Sequence, residues 1–259
     1  MNRRKQNALD MMQEKQIDIM VLTAGTNLRY ITNHKFSESE RLFLYFLHKD
    51  GTGVYVIPEV EESNTVLDYK EHALTYKDGQ KANDLLYQLQ QNMYSQRNVA
   101  IESNKMRLFE FNFVQKLSVE NFTDADQIME GLRKQKDTEE IEKMQQAIII
   151  LEESLKATLP YIKIGKKETE IAARLEYEMR IRKSEGTPFS TIVASGYRGA
   201  LPHGRASDKV IKDGDFIVID FGSIYQGYVG DMTRTIGIGG ITEEQKKHTR
   251  LFKKLLENR

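Results

Sequence analysis

Apolar runs and polar, helix-spaced segments alternate through the first half of the chain. IDIMVLT at 17–23, RLFLYFLH at 41–48, GVYVIP at 53–58 and NVAIES at 98–103 are short, β-branched or aromatic runs, and they predict strands. Lys49-Asp50-Gly51 between the second and third predicts a hairpin turn. Residues 6–16 predict a polar helix, residues 82–93 a helix with Leu85, Leu86 and Leu89 on one face, and residues 106–117 a further helix. Such alternation predicts an α/β domain. It contains no glycine-rich phosphate loop and no cluster of acids with histidine, so its expected role is structural, or shaping a neighbouring site.

The charged stretch GLRKQKDTEE at 131–140 predicts a domain boundary, dividing the chain into 1–132 and 133–259. Thr138 is the expected N-cap of the next helix, with Ile141 where a capping box would want Glu or Gln. Ile141, Met144, Ile148, Leu151 and Leu155 then recur at 3,4-spacing and predict one apolar, core-facing stripe, ended before Pro160. A second helix is expected over 166–183. Neither helix carries a convincing catalytic group. Residues 188–196 predict a strand leading to Gly196, residues 199–208 a loop with His203 between Pro202 and Gly204, and Lys212-Asp213-Gly214 a turn.

The segment 216–238 predicts a hairpin whose strands carry Asp220 and Asp231. A tip at Tyr225-Gln226 would set the two aspartates opposite one another, with Cβ atoms about 5 Å apart. Like charges so placed need compensation. One acid could keep its proton, a basic side chain such as Arg234 could sit beside them, or a cation could bridge them. Hard divalent ions favour carboxylate oxygens, and paired ions lie about 3.5–4 Å apart. His203, 17 residues before Asp220, reads either as a solvated loop histidine or as a proton or hydrogen-bond donor near such a site. Arg234 reads as a partner of Asp231 or a simple charge balance, and Tyr228 as a packing residue.

Composition narrows the classes. Lys+Arg and Asp+Glu both number 38, so no net field favours nucleic acid or an anionic membrane. There is no cysteine, which excludes disulfides and zinc–thiolate sites and fits a reducing compartment. The polar N-terminal segment lacks a secretory h-region, and no run approaches 18 apolar residues, so a cytoplasmic protein is expected.

FSTIVASG at 189–196, LPHG at 201–204, GDFIVIDFG at 214–222 and GDMTRT at 230–235 occur in this order. The combination resembles the Xaa-Pro peptidase family of prolidases and aminopeptidase P, with creatinase and methionine aminopeptidase as relatives. RKQKDTEEIEKMQQA at 133–147 and NLRYITN at 27–33 resemble the start of its catalytic domain and part of its smaller N-terminal domain.

The resemblance implies an α/β N-terminal creatinase-like domain followed by an α+β pita-bread catalytic domain around two divalent ions, manganese first, then cobalt or zinc. It implies that Asp220 and Asp231 are metal ligands. It implies that His203 binds substrate and stabilises the tetrahedral intermediate, and that a metal-activated hydroxide attacks the bond before proline. A homodimer and Xaa-Pro di- or oligopeptide substrates are further implications.

The family completes its site with a histidine, two glutamates and an H-G-x-G-H motif from the second half of the catalytic domain. Only 28 residues follow Asp231 here, and 241–259 reads as one charged helix with His248 exposed on it. The expectation is therefore an N-terminal domain plus the first half of a catalytic domain, impaired as a peptidase by itself. The alternatives are an aminopeptidase P acting on longer peptides, a non-catalytic pita-bread binding or scaffold protein, and a creatinase-like hydrolase.

Overall fold

The computed structural model describes residues 3–65, 67–80, 82–92, 98–117, 119–247 and 249. The chain forms two compact units, residues 1–135 and 136–259.

The first unit is built on a six-stranded mixed sheet, in the order β4-β3-β2-β1-β5-β6. Its strands are β1 (Ile19–Thr23), β2 (Leu44–His48), β3 (Gly53–Pro58), β4 (Glu71–Tyr76), β5 (Asn98–Ile101) and β6 (Asn121–Asp124). The helices are α1 (Arg3–Glu14), α2 (Thr26–Thr32), α3 (Leu86–Asn92), α4 (Leu108–Val114) and α5 (Asp126–Lys134).

Alternate residues of the central strands feed two cores. Met20, Leu22, Tyr45, Leu47 and Tyr55 pack with Met12, Leu28, Ile31, Ile128 and Met129. Ile19, Val21, Leu44, Phe46, Val54 and Val99 pack with Leu89, Phe113 and Val114. Covering both faces explains why these strands read as unbroken apolar runs rather than alternating ones. β4 and β6 lie at the sheet's edges and α2 is one short helix, so no continuous apolar run or long periodic stripe announces them in the sequence.

The second unit packs α6 (Thr138–Thr158) and α7 (Glu168–Ile181) on one face of an antiparallel sheet, β7-β8-β9. Its strands are β7 (Ile192–Ser195), β8 (Phe216–Tyr225) and β9 (Tyr228–Gly237). Two details depart from the sequence expectation. Asp137, not Thr138, caps α6: its carboxylate accepts the Glu140 N–H, and the Glu140 carboxylate accepts the Asp137 N–H. The capping box is thus complete one residue earlier than expected.

The buried stripe of α6 is also rotated toward small residues. Ala147, Ile150, Leu151, Ser154 and Thr158 are buried, Ile148 and Leu155 are partly buried, and Ile141 is 46% exposed. The close approach of the sheet causes this. A Cβ added at Gly230 would lie 2.9 Å from the Ala147 carbonyl carbon, and Ser223 Oγ donates to the Ala147 carbonyl at 2.8 Å. Only small side chains fit where helix backbone and strand backbone meet.

Beyond β9, Thr242 Oγ1 accepts the Gln245 N–H while the Gln245 side chain accepts the Thr242 N–H, starting a helical turn. His248 and most of the expected terminal helix lie outside the described residues.

Candidate functional site

The β8–β9 hairpin turns at Gln226-Gly227, which have φ of 47° and 83°. Positive φ at both central residues is the type I′ turn, whose twist matches the flanking strands. Gly227 makes this tip favourable, and it shifts the register by one residue on each strand from a tip at Tyr225-Gln226. Asp220 therefore pairs with Thr233, and Asp231 pairs with Gly222. The two aspartates are not directly opposed as the assumed tip had them. They are diagonal neighbours on one face of the ladder, about 7–8 Å apart in backbone terms and within reach of one shared ligand.

That face points away from α6 and α7, because Ile217, Ile219, Phe221 and Met232 occupy the other side in the core. Asp231 is exposed and Asp220 half-buried. Thr233 Oγ1 donates to Asp220 Oδ1 at 2.5 Å. Arg234 cannot serve Asp231 as expected: it pairs with Ile219, on the opposite side of the strand, and its guanidinium donates to the Thr233 carbonyl. Among the described residues no basic side chain forms an ion pair with either aspartate. Tyr228 does more than pack, since its hydroxyl donates to Glu140 Oε1 at 2.9 Å.

Two segments flank the acids on the same face. A Cβ at Gly222 would lie 2.5 Å from Pro188 Cγ and 2.9 Å from Phe189 Cε1, so Pro188 and Phe189 cover the sheet beside Asp231. Farther along, Gly199 approaches Val218, and Gly204 would place a Cβ 3.0 Å from the Ala194 Cβ. Ala194 pairs with Val218, on the row that contains Asp220. The loop with Leu201, Pro202 and His203 therefore lies over the acid-bearing face, with His203 exposed.

Sequence reasoning missed the support for this loop. Glu168, at the first turn of α7, has a fully buried side chain and accepts five hydrogen bonds. Burial alone would raise its pKa. The donors from Ser207 and Ser195 outweigh that and hold it below the ordinary carboxylate value. In sequence Glu168 looks like any acid in a helix's first turn, so no signal marked it. Lys209 Nζ also donates to Ser195 Oγ at 2.8 Å, but Ser195 is fully buried and bonded to Glu168, so this pair is structural rather than nucleophilic.

The donor chemistry fits a hard divalent cation in part. Asp220 and Asp231 offer oxygen ligands without a competing cation. No group of three or more His, Cys, Asp or Glu side chains arranged for a metal occurs among the described residues.

Residues 4–135 match the Creatinase/Prolidase N-terminal domain, and residues 142–258 match metallopeptidase family M24. The chain is 34% identical over 248 residues to the Xaa-Pro dipeptidase of Pyrococcus furiosus, covering 95% of this chain and 68% of that protein. Among solved structures, the prolidase of Pyrococcus horikoshii superposes with TM-score 0.82 at 30% identity, covering 95% of this chain and 68% of that one. The X-Pro aminopeptidase of Thermotoga maritima does so with TM-score 0.77 at 31% identity, covering 94% and 67%. The chain thus spans about two thirds of the length of these relatives. A creatinase-type α/β unit, then a pita-bread α+β unit that carries its acids on the sheet face opposite its helices α6 and α7, together with these likenesses, place the chain in the Xaa-Pro peptidase family of M24 hydrolases.

Proposed function

We propose that the chain carries the aspartate portion of a prolidase-type Xaa-Pro dipeptidase centre, with residues 1–132 as the N-terminal domain and 133–259 as the catalytic portion. One observation supports this above the others: Asp220 and Asp231 share one sheet face, without a basic partner among the described residues, on the side where the loop that bears His203 packs. Asp220 and Asp231 would hold divalent metal, and Thr233 orients Asp220 by donating to its Oδ1. When bound, a divalent ion supplies Lewis-acid charge and lowers the pKa of water. The imidazole of His203 donates a hydrogen bond to the substrate carbonyl oxygen as negative charge develops there. The bond before proline is a tertiary amide without an N–H, so recognition rests on shape and on that carbonyl.

Two carboxylates by themselves bind a cation weakly, so the ligands found among the described residues are expected to hold the ion loosely and to support little turnover. The proposal takes manganese ahead of cobalt or zinc as the metal, a homodimer as the assembly and the cytoplasm as the location. Titration calorimetry with Mn²⁺ tests the centre. Wild type binds, and Asp220→Asn and Asp231→Asn each abolish the signal; binding that survives both substitutions overturns the assignment.

The likeness to an X-Pro aminopeptidase favours a second reading, in which longer Xaa-Pro peptides are the substrate. Turnover of Gly-Pro against a longer Xaa-Pro peptide separates the two. Metal binding with neither turnover would favour a non-catalytic role.

A further inference from the structure

The residues around His203 form a closed loop whose two ends meet at one buried carboxylate. Glu168 Oε1 accepts the Ser195 N–H at 2.7 Å and the Ser195 hydroxyl at 2.8 Å, at the end of β7 where the loop begins. Glu168 Oε2 accepts the Ser207 hydroxyl at 2.7 Å and the Ser207 N–H at 3.1 Å, where the loop ends. The same oxygen accepts from Arg198 Nε at 3.1 Å, and Arg198 Nη2 reaches across to the Arg205 carbonyl at 2.7 Å. Backbone bonds from the Glu168 and Thr169 N–H groups to the Lys209 and Ser207 carbonyls tie α7 to the same stem.

Every one of these contacts falls on the stem. Leu201, Pro202 and His203 at the tip are exposed, and among the described residues their hydrogen bonds stay within the loop: Leu201 N–H donates to the Arg198 carbonyl at 3.0 Å, Gly204 N–H to the Leu201 carbonyl at 3.2 Å and Arg205 N–H to the His203 carbonyl at 2.8 Å. Local turn bonds shape the tip, while its place over the sheet is set by the stem, by the bridge between Arg205 and Ile192, and by Gly204 seated on Ala194. A carboxylate this well bonded fixes its donors in one geometry, whereas a loop held by exposed contacts alone would sample many.

We propose that Glu168 is a positioning residue: it joins the two ends of the 195–207 loop and thereby sets where His203 stands over the face that carries Asp220 and Asp231. The role of His203 rests on the function proposed above; the loop-joining role does not. Two features distinguish this from general stabilisation. Three of the five donors, those of Ser207 and Arg198, belong to the loop and its ending rather than to the core of the unit. Arg198 also carries the connection onward to Arg205, two residues from His203.

Hydrogen exchange on the 259-residue chain tests the proposal. In Glu168→Gln, exchange in peptides spanning 196–207 is expected to quicken at least about tenfold, while peptides from α6 and β8 keep wild-type rates. Ser207→Ala, which removes a single hydroxyl, is expected to show the same local pattern more weakly, and it keeps the test open if Glu168→Gln does not fold. Uniform quickening across the second unit, or no change at the loop, overturns the proposal.

Added Mn²⁺ provides the second arm. Paramagnetic broadening of the His203 ring resonance is expected in wild type and is expected to weaken in Glu168→Gln at unchanged Mn²⁺ affinity. Unweakened broadening overturns the positioning role. Absence of broadening in wild type instead overturns the metal reading alone, and the exchange result still decides the loop.

Discussion

The two units treat acidic residues in opposite ways. In the first, buried carboxylates are absorbed into the fold. Glu71 accepts from Lys5 Nζ at 2.9 Å and from the Tyr45 hydroxyl at 3.1 Å, and the Lys5 and Glu71 side chains are only 4% and 6% exposed. Glu102 accepts the Thr23 N–H, the Thr23 hydroxyl and the Asn27 amide. These acids close their own networks and leave nothing over for a ligand. In the second unit Glu168 behaves the same way, but Asp220 and Asp231 do not. They stand on the sheet face opposite α6 and α7, without a cationic partner among the described residues. The buried acids are satisfied within the fold, whereas these two like charges stand diagonal on one face, Asp231 exposed and Asp220 half-buried, available to something outside the unit's own packing.

The sharpest way to break this contrast is to remove one charge from each kind of site. Lys5→Met strands the Glu71 carboxylate in the interior and is expected to cost about 3–5 kcal/mol, measured by urea unfolding. A loss below about 1 kcal/mol would mean the pair is not part of the core. Next in size is Gly230→Val, which forces side-chain atoms against the α6 backbone at Ala147; overpacking of this kind costs about 1–3 kcal/mol, with the first unit's own unfolding unaffected.

Asp220→Asn and Asp231→Asn sit at the other extreme. Each relieves like-charge repulsion, so stability is expected to stay within about 1 kcal/mol of wild type or to rise slightly. The rise in melting temperature produced by Mn²⁺ is expected to vanish. A large loss of stability without metal would show these acids to be structural after all.

The smallest effect is on pH dependence. Glu168 is held below its usual value of 4.5 because its hydrogen bonds outweigh desolvation. Asp215 is likewise held below 3.8, where desolvation is outweighed by the bond from Lys209 and by the Lys212 N–H. A carboxylate depressed in the folded state contributes stability that is present in full above its unfolded pKa and is lost as pH falls through its folded one. Stability should therefore decline below about pH 4.5, and Glu168→Gln or Asp215→Asn should flatten that decline. An unchanged slope in both variants would show that acid sensitivity resides elsewhere.

Legibility differed between the units for physical reasons. In the first, the four central strands announced themselves because burial on both faces demands continuous apolar runs. The edge strands β4 and β6, each with one side of its backbone unpaired, did not. In the second, α6 and α7 were legible as helices, and the face α6 buries was legible in part: Leu151, Ile148 and Leu155 pack on the core as the stripe predicts, but Ile141 is exposed. The close contact of α6 with the sheet is made by Ala147 against Gly230, and small residues carry no hydrophobic signal. Asp220, Asp231 and His203 were singled out by type and order along the chain. The geometry between the two acids was misjudged because the turn was centred one residue too early. Gly227, which tolerates positive φ, was the available cue for the correct tip.

The sequence by itself determined the family, the α/β-then-α+β order and the residues bearing the candidate chemistry, because periodicity, turn chemistry and short motifs are local properties of the chain. Only the tertiary structure decided which side of a strand each residue takes. A one-residue change at a hairpin tip re-pairs every position: it set Asp220 against Thr233 and left the two aspartates diagonal, while strand alternation, in either register, puts Arg234 on the face opposite Asp231. The tertiary structure also revealed Glu168, whose five donors come from three residues, Ser195, Arg198 and Ser207, 27 to 39 positions away along the chain, and so leave no local trace.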